Sequence, residues 1–292
     1  MMLDVRHRTH YRYANSAVFS QHLLRLTPTV TPGQRVIMTD VKIDPEPDGI
    51  DTHRDMFGNV VHVATVSHPH EDLEIIATSR VERADRNALI FDTSAAWEKT
   101  RAAALGINGV SPVIEVSPYA FPSAMTVADA EIEAYARDSF TANRPVLDAA
   151  QNLMRRINED FEYTPGVTQF DTLPTESFRA RKGVCQDFAH VMLAAMRSLR
   201  IPARYVSGYL RTTPPPGRAR LKGADASHAW VSVWDPAFEW IDFDPTNNCV
   251  PGDDHVTLGQ GRDYTDISPV SGIVVGAGRQ VLSVGVDVTD AV

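Results

Sequence analysis

A cysteine nucleophile needs a base to take its proton and a third group to orient that base. The chain has two cysteines, Cys185 and Cys249, and only the first stands where a helix should begin. Gly183 interrupts the chain. Cys185, Phe188, Val191, Met192, Ala195, Met196 and Leu199 then recur at helical spacing. A thiol in the first turn of a helix meets unpaired N–H groups and the positive end of the helix dipole, and both favour a thiolate. The competing reading of Cys185 is a buried structural thiol. Cys249 follows Asn247-Asn248 in a loop with no helix start behind it, and is read as incidental.

The base and the carboxylate have a hairpin to carry them. Residues 227–234 alternate as a strand, 235–238 make a turn, and 240–246 return as a second strand. His228 stands near the start of the first strand and Asp244 near the end of the second. Antiparallel pairing brings those ends side by side, with directly opposed residues about 4.5–5.5 Å apart. Asp242, two residues earlier on the same face, is an alternative carboxylate. The Cys185 helix packed on this sheet would set the thiol against the imidazole.

The elements that must position these groups follow from the rest of the chain. Residues 3–13 alternate with Leu3, Val5, His7, Thr9, Tyr11 and Tyr13 on one face, a half-buried strand. Residues 18–26, 36–43, 60–66 and 73–81 are also strand-like, with breaks at 31–33, 45–49 and 57–59. Short strands at this spacing predict an antiparallel β-sandwich over residues 1–85. His68-Pro69-His70-Glu71 lacks a second ligand cluster and is read as loop histidines, so no metal site is expected. Residues 86–122 form a connecting segment, with a short helix over 95–105 and prolines at 112, 118 and 122. Residues 123–292 hold the predicted catalytic region and a β-rich tail. It opens on a helix capped by Thr126, with Asp129 three residues on. A second helix starts near Pro145, a short helix or turn covers 177–181, and a strand covers 203–210. The loop 212–223, with Pro214-Pro215-Pro216-Gly217, reads as long and exposed, either a solvated connector or a gate over the site.

Composition narrows the function. A chain of 292 residues that is 43% hydrophobic can build a sizeable core, in two domains rather than one. A net charge of -9 argues against nucleic acid and anionic membrane surfaces as partners. No apolar run reaches transmembrane length. Met1 to His7 carries charges where a signal peptide has its apolar segment. Two widely separated cysteines make no disulfide framework. The expectation is a soluble, cytoplasmic protein.

The flanks of the three candidate residues carry a resemblance. Gly183-Val184-Cys185-Gln186-Asp187-Phe188-Ala189, then residues 197–209 (RSLRIPARYVSGY), then Ser227-His228-Ala229-Trp230 and Phe243-Asp244-Pro245-Thr246-Asn247 resemble, in order, the core of the bacterial transglutaminase-like superfamily. The first 85 or so residues and the tail from Gly261-Arg262-Asp263-Tyr264 are similar to regions that accompany that core. The resemblance implies an α+β chain. An N-terminal antiparallel β-sandwich would precede a papain-like transglutaminase core, with helices packed on an antiparallel sheet. It implies Cys185 as nucleophile, His228 as general base and acid, and Asp244 as orienting carboxylate, favoured over Asp242 because Pro-Thr follows it.

The implied chemistry is thiol-dependent acyl transfer on a peptide or protein amide through a Cys185 thioester, with no cofactor. Hydrolysis, as a cysteine peptidase or amidase, is favoured over a protein-glutamine transglutaminase or deamidase, since no calcium loop of the Asp-x-Asp-x-Asp-Gly type is present. Two further alternatives are a non-catalytic binding module that keeps the fold and a zinc hydrolase. The oxyanion would take the Cys185 N–H and a second donor from Tyr163 or Gln186. Trp230 and Asp187 are candidates for the substrate cleft. An Arg262–Asp263 ion pair would hold the tail near the site.

Overall fold

In a computed structural model, residues 1–84, 91–212 and 226–291 are described. The 212–223 loop falls almost wholly outside them, and its gating role with it. The first 83 residues fold as expected of their alternation. Strands β1 (Met2–Ala17), β2 (Phe19–Leu24), β3 (Gln34–Asp44), β4 (Gly49–Arg54), β5 (Val60–Val66) and β6 (His70–Arg83) build two antiparallel sheets. Strand β4 starts at the last residue of the 45–49 break and covers residues to which the sequence gives no strand signal, because all six are exposed and carry no apolar period.

The two sheets are completed by the far end of the chain. Strand β13 (Val270–Val275) pairs with β2, and β14 (Gln280–Asp290) pairs with β1. The sheet orders are β14-β1-β6-β3 and β13-β2-β5-β4. The tail, grouped with the catalytic region from sequence, is thus hydrogen-bonded to the N-terminal sandwich. Its pairing runs through backbone groups some 270 residues away in sequence, and periodicity carries no trace of such a partner. Leu3, Val5, Leu73, Ile75 and Val81 pack with Leu24, Ala64 and Val66 between the sheets.

The middle of the chain is a helical layer on a third sheet. Helices α1 (Trp97–Leu105), α2 (Ala130–Ser139), α3 (Val146–Asp160), α4 (Pro174–Ala180) and α5 (Cys185–Ser198) precede strands β9 (Ala203–Leu210), β10 (Ala226–Asp235), β11 (Glu239–Phe243) and β12 (His255–Gly261). The short strands β7 (Glu162–Tyr163) and β8 (Lys182–Gly183) pair in parallel just before α5. Helix α6 (Tyr264–Ile267) follows β12. The sheet order is β11-β10-β9-β12, all antiparallel. Helix α5 is buried nearly all round; Phe188, Val191, Met192, Ala195 and Met196 share a core with Tyr205, Ala229, Val231, Val233 and Phe243. A helix apolar on every face belongs inside a domain.

The cap of α2 differs from expectation. Asp129, not Thr126, is the N-cap; its carboxylate accepts the N–H groups of Glu131 and Ile132. Thr126 Oγ1 instead accepts from the buried guanidinium of Arg197 on α5 at 2.8 Å. Arg197 also donates to the carbonyls of Tyr119, Ala203 and Arg262, tying the connecting segment and the tail to α5.

The sandwich and the third sheet meet through one apolar cluster. Tyr209, Val256 and Leu258 pack with the sandwich residues, and His7 Nδ1 lies 3.0 Å from the Tyr209 hydroxyl.

Candidate active site

Cys185 is the first residue of α5 and half-buried. Its helix starts there for a local reason. The Asp187 carboxylate accepts the Val184 N–H at 2.7 Å, the reciprocal half of a capping arrangement. Ser177 and Thr168 hydroxyls donate to the same carboxylate at 3.0 and 2.7 Å. Gly183 makes this possible: a Cβ there would stand 2.6 Å from the Asp187 side chain. Asp187 is therefore not a cleft residue. It is buried and fully engaged in holding the helix start.

His228 on β10 bridges the thiol and the carboxylate. Its Nε2 lies 2.7 Å from Asp244 Oδ2, and the Cys185 side chain is near enough to act on the same ring. Burial alone would push the imidazole down. The hydrogen bonds and charges of Asp244 and Cys185 outweigh it, and His228 is pushed up to about 10. Burial likewise acts to raise Asp244, but hydrogen bonds from His228 and His255 win and hold its carboxyl well below the usual range.

The hairpin register differs in detail from direct opposition. The β10–β11 ladder ends at Val231↔Phe243, so Asp244 lies one residue beyond it and His228 three residues before Val231. Asp244 reaches the imidazole because it leads a tight turn. Its Oδ1 accepts the N–H groups of Thr246 and Asn247, and its backbone pairs in both directions with Cys249. Asn158 of α3 donates to the carbonyls of Pro245 and Thr246, fastening that turn to the helical layer. Cys249 is thus a structural clamp through its backbone. Burial and the nearby Asp244 charge push its thiol up to about 11, which makes it a poor nucleophile. Asp242 lies on the wall of a cavity of about 770 Å³ with Arg204 and Trp240, which none of the three candidate residues lines.

Tyr163 is half-exposed, packs edge-on against Phe188, and is raised by burial and then by the charge of Cys185. Gln186 donates its side-chain N–H to the Phe170 carbonyl at 2.8 Å, which draws its amide toward the 164–172 loop. Trp230 is wholly buried, so it offers no wall to a substrate. Its indole crosses Gly208, where a Cβ would lie 2.4 Å from the ring, and ends against the His228 and His255 rings. Arg262 pairs with Asp266 at 2.9 Å, not with Asp263, which instead caps α6 and accepts the Met125 N–H.

Sequence reading missed His255. It is buried, and its Nε2 lies 3.1 Å from Asp244 Oδ2. Among the described residues, His228, Asp244 and His255 place one potential metal-ligand atom each within 4.8 Å of one another. Both nitrogens aim at a single carboxylate oxygen at hydrogen-bond distance. Nothing in the spacing of His255 marked it, since it enters from a different strand.

A thiol at a helix start, facing an imidazole and a carboxylate held on an antiparallel sheet, is the arrangement of papain-like folds. Residues 3–82 match the bacterial transglutaminase-like N-terminal region, and residues 133–245 match the transglutaminase-like superfamily. The chain is 38% identical to an uncharacterized protein of Mycobacterium tuberculosis, over 97% of this chain and 91% of that one. A Pseudomonas aeruginosa protein named protein-glutamine gamma-glutamyltransferase is 34% identical over 44% of this chain and 19% of its own length. The crystal structure of a candidate cysteine protease from Cytophaga hutchinsonii superimposes with a TM-score of 0.75 at 20% identity, over 99% of this chain and 90% of that one. This chain belongs to the bacterial transglutaminase-like superfamily.

Proposed function

We propose that the protein is a thiol-dependent acyl-transfer enzyme acting on peptide or protein amides, and that water is its usual acceptor. The observation that carries this reading is the 2.7 Å bond between His228 and Asp244 with Cys185 acting on the same imidazole, which is pushed up to about 10. At neutral pH such an imidazole is protonated, and the proposed reaction starts from a thiolate beside it. The Cys185 sulfur attacks the amide carbonyl carbon, and the electron pair moves to oxygen. The Cys185 N–H and the Tyr163 hydroxyl are the donors suited to that oxyanion. His228 gives its proton to the nitrogen as the carbon–nitrogen bond breaks, leaving a thioester. Water then attacks the thioester carbon, His228 takes its proton, the carbon–sulfur bond breaks with its electron pair returning to Cys185 as thiolate, and the acid leaves. The Pseudomonas relative's name supports a second acceptor, in which an amine replaces water on a glutamine-derived thioester.

Among the described residues no helix is long and apolar enough to cross a membrane, and both cysteines are free thiols. Free thiols suit a reducing compartment, so the cytoplasm is the location we infer. Immunoblotting of fractionated cells checks it, and recovery outside the cytoplasmic fraction would overturn it.

The test of the reaction starts with alkylation by iodoacetamide at pH 7, which needs no substrate. Cys185 should react fast, Cys185→Ala should lose the fast phase, and His228→Ala should slow it by about 100-fold, the low end of general acid–base effects. Equal rates in the parent and His228→Ala would refute the pair. Mixed peptides then separate the acceptors by mass spectrometry: new termini mean hydrolysis of the chain, and amine incorporation means transfer. A reactive thiol with no product from any mixture would leave the binding module.

A further inference from the structure

We propose that His255 is a positioning residue of this site: it donates Nε2–H to Asp244 Oδ2 and so holds the carboxylate that orients His228. The proposal rests on the catalytic reading above. His255 opens β12, opposite Leu210 of β9, and is only 5% exposed. Its ring stands edge-on to Trp230 at 5.4 Å and 6.0 Å from the His228 ring. The 3.1 Å contact with Asp244 Oδ2 is the one side-chain hydrogen bond recorded for this imidazole, and its Nδ1 has no partner among the described residues.

That pattern is costly for a residue that only fills space. A buried polar group without partners is unfavourable, and an aromatic hydrocarbon would pack on Trp230 without the penalty. The imidazole is explained by its one bond. An ionised carboxylate only accepts, so His255 carries a proton on Nε2. Asp244 Oδ1 is already held by the Thr246 and Asn247 N–H groups. His255, with Asn247 Nδ2 at 2.7 Å, then surrounds Oδ2 from the sides that His228 leaves open. The carboxylate is kept ionised and in the plane that the His228 N–H needs. His255 also draws off part of the charge on Oδ2, which taken alone would weaken its pull on His228. Orientation dominates because hydrogen-bond strength falls steeply with misalignment.

The experiment compares parent, His255→Phe, His255→Gln and Asp244→Asn by two readouts. The first is the iodoacetamide rate of Cys185 at pH 7, with thermal melting to establish folding. Phe keeps the ring packing and removes the donor. Gln keeps a donor near the Nε2 position. His255→Phe should slow alkylation roughly 10-fold, part of what a hydrogen bond to a charged group is worth. His255→Gln should restore the rate to within about 3-fold on the same basis. An unchanged or faster rate in His255→Phe, or equal losses in both variants, would overturn the proposal.

The second readout uses the unaltered protein, so it survives a variant that does not fold. Imidazole nitrogen-15 NMR should find His255 protonated on Nε2. A proton on Nδ1 alone would exclude the bond to Asp244. The failure of the catalytic reading looks different: a slow parent thiol that Asp244→Asn does not slow further, whatever His255 does.

Discussion

At the scale of the residue, the candidate site is a set of groups that depend on one another for their charge. His228 and Asp244 shift in opposite directions, and both shifts report the same ion pair in a buried place. The sign of the pH dependence follows. His228 is raised from 6.5 to about 10, so its contribution to stability is full below pH 6.5 and is lost as pH rises through about 10. Asp244 is lowered from 3.8, so its contribution is full above that value and is lost as pH falls below it. Stability from the pair should therefore peak between pH 4 and 6.5. Melting temperatures of the parent and His228→Gln, measured from pH 4 to 10.5, should differ most in that window and converge at the alkaline end. A constant difference would mean that the imidazole is not charged in the fold.

At the scale of the element, two glycines decide where α5 and β10 hold their side chains. Gly183 leaves room for the Asp187 carboxylate under the start of α5, and Gly208 leaves room for the Trp230 ring across β9. At Gly208 an added Cβ would also meet the Val256 carbonyl oxygen at 2.2 Å, a backbone atom that cannot turn aside. Gly208→Ala should therefore part β9 from β12 and unseat Trp230 from His228 and His255. The expected loss is about 1–3 kcal/mol of stability, typical of overpacking, with slower Cys185 alkylation in the protein that remains folded. Denaturant melts and the alkylation rate check both; a neutral substitution would mean that the strands separate without cost.

At the scale of the molecule, the chain closes on itself. The tail passes from β12, through α6, back to the sandwich. The buried His190 of α5, lowered to about 4 by its burial and so neutral, accepts the Tyr264 N–H at 3.2 Å on the way. Each sandwich sheet thus has one edge strand supplied by the tail. Truncation after Ser268 should strip β13 and β14, uncover Val5 and Leu24, and leave unpaired edges on β1 and β2. The truncated protein should aggregate and lose at least the sandwich part of its thermal transition, as light scattering and calorimetry would record. A soluble truncated form with an unchanged transition would mean that the sandwich stands on its first six strands.

What the sequence determined by itself was local or patterned. The strand alternation of 3–13, the apolar period of α5, the helix start at Cys185 and the hairpin with His228 and Asp244 could all be read directly, because side-chain period and turn residues act over a few positions. The tertiary structure decided whatever depends on groups that meet from distant parts of the chain. Strand β4 was invisible because its residues are exposed. Asp187 and Trp230 looked available to a substrate until packing buried them. Arg262 chose Asp266 over its neighbour Asp263. Strands β13 and β14 of the tail paired with the sandwich, and His255 came to rest on Asp244 from another strand. Hydrogen bonds and burial are properties of neighbours in space, and a residue's period along the chain does not record who those neighbours will be.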